Sequence, residues 1–156
     1  MFGVTFDRTI ESELPPQQLW RLMKEAFEDP SQSPIWPVEL DEVNPVELSP
    51  GAEVKATYKL GPLKARPGYR ITDFEAGRRF SYESDADHPL AGGATVEILS
   101  RDGDSALRWY GEYHPRLHPA ALGALAFVRL YFLRTFFARL EENLRQYEES
   151  FSARDS

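Results

Sequence analysis

The stretch PAALGALAFVRLYFLRTFFARLEENLRQYEESF, Pro119–Phe151, decides how the rest of the chain is read. It has no glycine after Gly123 and no proline after Pro119, and most of its charges gather in the second half. From about Phe136 onward the apolar residues recur at helical spacing, so one side should pack and the other meet water. From Ala120 to Thr135 the segment is apolar round its whole circumference, except for Arg129 and Arg134. A helix of that kind is buried on more than one side. The two arginines, at roughly 3 kcal/mol each near a bilayer centre, argue against a stable membrane span.

At about 100° per residue, Leu122, Leu125, Ala126, Leu133, Phe136, Phe137, Leu140, Leu144 and Tyr147 share one face of this helix, with Arg129 in its middle. A charged guanidinium on an apolar face needs a partner or water. It could hold a ligand carboxylate or phenolate. Alternatively it pairs with a buried carboxylate or snorkels out of a cavity mouth, and structural ion pairs are the commoner use.

What precedes the helix reads as strands. Phe2, Val4, Phe6 and Ile10 alternate with Thr5 and Thr9 in a first strand. Pro15-Pro16 opens a short helix with Leu19, Trp20, Met23, Ala26 and Phe27 on one face, ended by Asp29-Pro30. Ser31–Pro37 is a proline-rich loop whose Ile35 and Trp36 should tuck down as a lid. Val38–Leu48 alternates and changes phase, with a bulge expected at Asn44-Pro45. Ser49-Pro50-Gly51 turns into Glu53–Leu60, where Val54, Ala56, Tyr58 and Leu60 face one way and charged residues the other. Further strands are expected over Leu63–Phe74, Arg79–Ser84, Ala94–Arg101 and Ala106–His114, with Asp85–Gly93 as a loop and Asp102-Gly103-Asp104 as a hairpin turn. The fold class is therefore α+β: a curved antiparallel sheet of about seven strands, closed around the long helix with an apolar cavity between.

Composition narrows the function. The 156 residues suit one domain, residues 1–156, with no internal repeat or linker. A net charge of -7 argues against a sequence-independent nucleic-acid surface, which needs a basic face. The absence of cysteine removes disulfides, thiolate zinc sites and cysteine nucleophiles, and fits a cytoplasmic protein. The N-terminal residues do not form a signal peptide. Aromatic residues at 13% favour a wide core or an aromatic-lined pocket.

Tyr58, Tyr69, Tyr82, Trp109 and Tyr113 fall on the faces expected to be concave, where they either line a pocket or fill the core. Together with Leu125, Arg129, Leu133 and Phe136 of the helix they are the candidate ligand-binding residues. Gly111, between Trp109 and Tyr113, leaves room for a ligand or permits a bend. His114 and His118 are four apart, but Pro115 and Pro119 deprive that spacing of helical meaning, and a metal site would need a third ligand. His114 fits better as a general base at the cavity rim, with Glu112, Glu97 or Asp73 beside it. Glu141-Glu142 and Glu148-Glu149 read as a solvated helix face supported by Arg145. No serine elbow, phosphate loop or HExxH motif is present. No catalytic residue, metal or cofactor is assigned.

Four segments carry a family resemblance: Ser49-Pro50-Gly51, YRITDFEAGRRFSYES (Tyr69–Ser84), RDGDSALRWYGEY (Arg101–Tyr113) and FFARLEENLRQYEE (Phe136–Glu149). With them, the order of elements resembles the START-like, or birch-pollen-allergen-like, helix-grip superfamily (SRPBCC), and within it the bacterial polyketide cyclase/dehydrase branch. The resemblance implies a hydrophobic cavity for lipids, hormones, polyketides or other apolar molecules, and no shared catalytic set. The leading expectation is binding of a small hydrophobic ligand, anionic, lipid-like or polyketide-like. A cyclase or dehydratase acting on a polyketide-like substrate is the alternative. A third reading is a homodimer through the apolar first half of the last helix; a second copy or the Ile35-Trp36 loop would cover Phe127, Val128, Leu130, Tyr131 and Phe132.

Overall fold

The computed structural model describes residues 3–60, 63–65 and 68–155. Phe2, the Gly61-Pro62 turn and Pro67 lie outside the described residues. Strand β1 (Val4–Ser12) buries Val4, Phe6, Ile10 and Ser12 on one face, as alternation requires, with Arg8 the exposed exception on that face. Helix α1 (Pro16–Glu28) starts with a proline in its first turn, and buries Leu19, Trp20, Leu22, Met23 and Ala26. A 3₁₀ turn at Pro30–Gln32 leads into the proline-rich loop. There Ile35 is fully buried, and Asn143 donates its Nδ2 hydrogen to the Ile35 carbonyl at 3.1 Å.

The remaining strands are β2 (Leu40–Val43), β3 (Glu53–Leu60), β4 (Leu63–Ala65), β5 (Gly68–Glu75), β6 (Arg79–Ser84), β7 (Leu90–Arg101) and β8 (Asp104–Pro115). Seven of the strands follow one another across an antiparallel sheet in the order β1-β8-β7-β6-β5-β3-β2, and β4 pairs with the end of β3. The β7–β8 hairpin is its longest pairing, from Leu90↔Pro115 to Arg101↔Asp104. Both turn residues have positive φ, Asp102 at 38° and Gly103 at 93°, the backbone that a two-residue hairpin loop demands.

Three sequence expectations change here. The run Leu63–Phe74 is divided into β4, which ends at Ala65, and β5, which starts at Gly68. The irregularity in β2 falls between Leu40 and Glu42, earlier than Asn44-Pro45. Beyond Val43 the chain leaves the sheet and is tied to α1 instead, with Val46 N–H donating to the Glu28 carbonyl and Leu48 N–H to the Glu28 carboxylate. Strand β7 begins at Leu90, so Gly92-Gly93 pair with Tyr113 and Glu112 within the sheet.

The long C-terminal helix covers the sheet in three pieces: α2 (Ala121–Phe127), a π-helical segment (Val128–Phe136) and α3 (Phe137–Asp155). Its inward residues are Ala121, Leu125, Val128, Phe136, Phe137, Leu140 and Leu144. Leu140 and Leu144 are fully buried, and such leucines contribute about 1.5–3 kcal/mol each. By length and hydropathy the Ala121–Phe151 helix could cross a bilayer. Its packing makes it the core helix of this fold: Phe136 and Phe137 meet Trp109 edge to face at 5.5 and 5.2 Å.

The expected helix face is corrected in two ways. Leu122 is 73% exposed, and Ala126 and Arg129 are exposed as well. An all-round apolar segment gives the pattern no phase, so Leu122–Ala126–Arg129 and Ala121–Leu125–Val128 are equally apolar-looking faces. The π winding then bonds each residue to i+5 and turns the chain less per residue than an α-helix. A single wheel from Leu122 to Leu144 cannot hold both ends. Glu148 is the second correction. It is buried, where a solvated helix face was expected. It accepts from Ser12 Oγ at 2.7 Å and Glu13 N–H at 3.2 Å, and pairs with Arg145 at 3.0 Å.

Candidate functional site

An apolar cavity of about 100 Å³ lies between the helix and the concave side of the sheet. Helix α1 and the loop after it supply Ala26, Phe27, Pro30, Trp36 and Val38. The sheet supplies Val54, Tyr58, Tyr69, Tyr82 and Trp109, and the last helix Phe127, Tyr131, Phe132 and Phe136. Each reaches the space for a local reason. Val54 and Tyr58 share a face of β3, Tyr69 and Tyr82 face each other near the β5–β6 pairing, and Trp109 projects from the middle of β8. The rings pack edge to face: Tyr69 on Tyr82 at 4.9 Å, Phe27 on Trp36 at 5.3 Å, and Trp36 on Phe136 at 5.4 Å.

The polar features of this wall are few and defined. The Trp109 indole donates from Nε1 to the Tyr82 hydroxyl at 3.1 Å. The Tyr82 and Tyr113 hydroxyls are 2.8 Å apart. The Tyr82 oxygen therefore accepts from Trp109, and either hydroxyl of the Tyr82–Tyr113 pair can donate to the other. The Trp36 indole N–H is buried and has no hydrogen-bond partner among the described residues. Burial pushes the Tyr82 phenol up to about 12, partly offset by its bonds to Tyr113 and Trp109. Burial also raises Tyr58, Tyr69 and Tyr113 well above the usual phenol range, with neighbouring phenols adding to the effect. At neutral pH these groups are hydrogen-bond donors and not bases. Among the described wall residues there is no carboxylate and no histidine.

Of the residues singled out from the sequence, Tyr58, Tyr69, Tyr82, Trp109 and Phe136 line the cavity. Tyr113 stands behind Tyr82 and supports it. Leu125 is buried elsewhere on the helix, and Leu133 is half-buried off the wall. Arg129 is exposed, with Nη2 at 3.4 Å from the Gly3 carbonyl, so it does not enter the cavity. The reason is the altered helical phase. His114 also lies outside, on the outward face of β8, with Nε2 at 3.4 Å from Glu112; strand alternation that turns Tyr113 inward turns His114 out. Gly111 is needed for a close approach: a Cβ there would collide with the Gly93 carbonyl oxygen and Ala94 of β7.

Sequence reasoning did not rank Phe27, Trp36, Phe127, Tyr131 and Phe132 as wall residues. Phe27 carried a signal, its place on the apolar face of α1, and Trp36 another, its place in the lid loop. A second cavity, of about 310 Å³, is larger but polar, lined among others by Glu42, Lys55, Thr57, Asp85 and His88. Thr57, on the strand face expected to be wet, is buried at its wall. The apolar cavity is the better candidate because it joins a continuous apolar wall to a few polar groups.

The sequence model of the family described as polyketide cyclase / dehydrase and lipid transport matches residues 3–149. No curated protein sequence matches the chain. Among solved structures it is similar to protein Ms6760 from Mycobacterium smegmatis, at 20% identity and a TM-score of 0.62, over 96% of this chain and 91% of that one. It is similar to a point mutant of norcoclaurine synthase from Thalictrum in complex with a transition-state analogue, at 10% identity and a TM-score of 0.65, over 96% of both chains. The di-domain ARO/CYC StfQ of the steffimycin biosynthetic pathway matches at 10% identity and a TM-score of 0.70, over 97% of this chain and 52% of that one. At such identities the structural likeness concerns the helix-grip fold alone.

Proposed function

The chain belongs to the polyketide cyclase / dehydrase and lipid transport family, and from that premise we propose that it binds a small hydrophobic ring compound bearing one oxygen function. The observation that carries this reading is the buried Trp36 N–H, which has no partner among the described residues, in an otherwise apolar wall that also holds the Tyr82 hydroxyl. An unsatisfied buried donor costs free energy that a ligand carbonyl or hydroxyl would recover.

Size supports a small ligand. An apolar cavity of roughly 150 Å³ takes a single benzene ring, and this one measures about 100 Å³. A single ring fits with small side-chain shifts. A polyketide-sized molecule requires Phe127, Tyr131 and Phe132 to swing outward. Binding takes precedence over turnover because the described wall offers donors and no base. A cyclase-type reaction is the second reading, favoured by one feature: the Tyr82 hydroxyl is held by Trp109 and Tyr113 at the cavity wall, where it would meet a carbonyl on which charge develops. A cytoplasmic location accords with the cysteine-free sequence.

The reading is tested by native mass spectrometry of the purified protein and by its melting temperature with single-ring phenols and ketones. A co-purified apolar molecule, or a dose-dependent rise in melting temperature, is the expected result. Neither would be seen if the cavity were ordinary core.

A further inference from the structure

The helix face turned away from the sheet is not polar. Leu122, Ala126 and Leu130 lie four residues apart in one outward stripe, with Leu122 73% and Leu130 64% exposed. Leu117, in the loop before the helix, is fully exposed, and Phe127 flanks the stripe. In the most apolar 18-residue window of this helix only 28% is buried. The helix therefore carries more apolar surface than the sheet covers. The Ile35-Trp36 loop does not cover it, since Trp36 packs on inward-facing Phe136. A contiguous apolar surface of this kind marks a docking site.

Charge selects the occupant. Residues 113–140 hold four arginines and no acidic residue, in a chain with 25 acidic residues and a net charge of -7. Arg129 and Arg134 are exposed beside Leu130, and Arg8 reaches the same segment, with Nη2 at 3.4 Å from the Leu133 carbonyl. Leucines and a phenylalanine among arginines, with no acid between, suit the boundary between acyl chains and anionic headgroups. A second copy suits it less. A two-fold contact would set the arginines of one copy against those of the other, and residues 113–140 supply no carboxylate to offset them.

We propose that α2 and the π-helical segment dock on an anionic membrane surface, lying in its plane. Phe127 belongs both to this face and to the cavity wall. An apolar molecule leaving the bilayer at that point enters the cavity without crossing water. The docking itself does not require the cavity to be occupied.

The test is co-sedimentation of the full chain with vesicles of phosphatidylcholine alone and of phosphatidylcholine mixed with phosphatidylglycerol, without added ligand. Binding should appear on the mixed vesicles, be roughly tenfold weaker on phosphatidylcholine, and weaken as salt rises. Leu122→Glu with Leu130→Glu should abolish it, and Arg129→Ser with Arg134→Ser should weaken it. These side chains are exposed, so an unchanged circular dichroism spectrum separates loss of docking from loss of fold. The proposal is overturned by absence of binding to the mixed vesicles, or by binding that the leucine substitutions leave intact. It is equally overturned by a dimer in sedimentation equilibrium that Leu130→Glu dissociates, which would give the face to a second copy.

Discussion

The hydroxyl oxygens of Tyr82 and Tyr113 lie 2.8 Å apart in the buried core, and the Trp109 indole donates to the first of them. Tyr82 is thus the junction of the network and Tyr113 a branch. Tyr82→Phe leaves two buried polar groups, the Trp109 indole and the Tyr113 hydroxyl, without that partner and should cost about 1–3 kcal/mol or more. Tyr113→Phe leaves the Trp109–Tyr82 bond intact and should cost less. Urea unfolding of the two variants measures the difference; equal losses would show that the two hydroxyls are interchangeable.

Alkaline pH should act through the same tyrosines. Their pKa values are raised in the folded protein by burial, Tyr82 to about 12 from the usual phenol value of 10.0. Between those values the unfolded chain has released a proton that the folded chain keeps. Stability is therefore fully present below about pH 10 and falls as pH rises toward 12. Tyrosinate absorbance should show Tyr58, Tyr69, Tyr82 and Tyr113 ionising only with unfolding. Reversible ionisation of all seven tyrosines in the folded state would contradict their burial.

Glu148 locks α3 to the first strand through Ser12 and the Glu13 N–H. Its partner Arg145 is partly exposed and can turn to water. Glu148→Ala should cost about 1–3 kcal/mol, because Ser12 Oγ and the Glu13 N–H lose their acceptor. Glu149→Ala, at the exposed neighbouring position, should stay within about 0.5 kcal/mol. Thermal unfolding of the pair checks the contrast.

These residues also show what could be read before the fold was known. Strand alternation placed Tyr58, Tyr69, Tyr82 and Trp109 on the concave side, because a period of two leaves only two faces. The short helix and its proline start were equally plain. The phase of the last helix was not. Leu122 and Leu125 are equally apolar, and only packing with the π winding turns one outward and the other inward. Arg129 was misplaced for that reason. Glu148 was misread because its partner, Ser12, lies 136 residues away, beyond the reach of any local pattern.

Phe132 sets the working size of the cavity, standing against Phe6, Trp109 and Phe136 at 5.0–5.7 Å. Phe132→Ala should destabilise by about 3 kcal/mol and admit larger molecules. Melting temperatures with one-ring and two-ring phenols should then rise for both in the variant, and chiefly for the one-ring compound in the parent. An unchanged preference would place the size limit elsewhere.

The claim that the cavity is a binding site is tested most directly through the two tryptophans in its wall, Trp36 and Trp109. A titration of intrinsic fluorescence with a single-ring phenol such as p-cresol reads it, in the parent and in Val54→Phe, which fills the space from β3. The expected result is saturable quenching in the parent that is lost in Val54→Phe while the fold is kept. Quenching that never saturates, or that Val54→Phe leaves unchanged, would contradict a ligand site between the sheet and the helix.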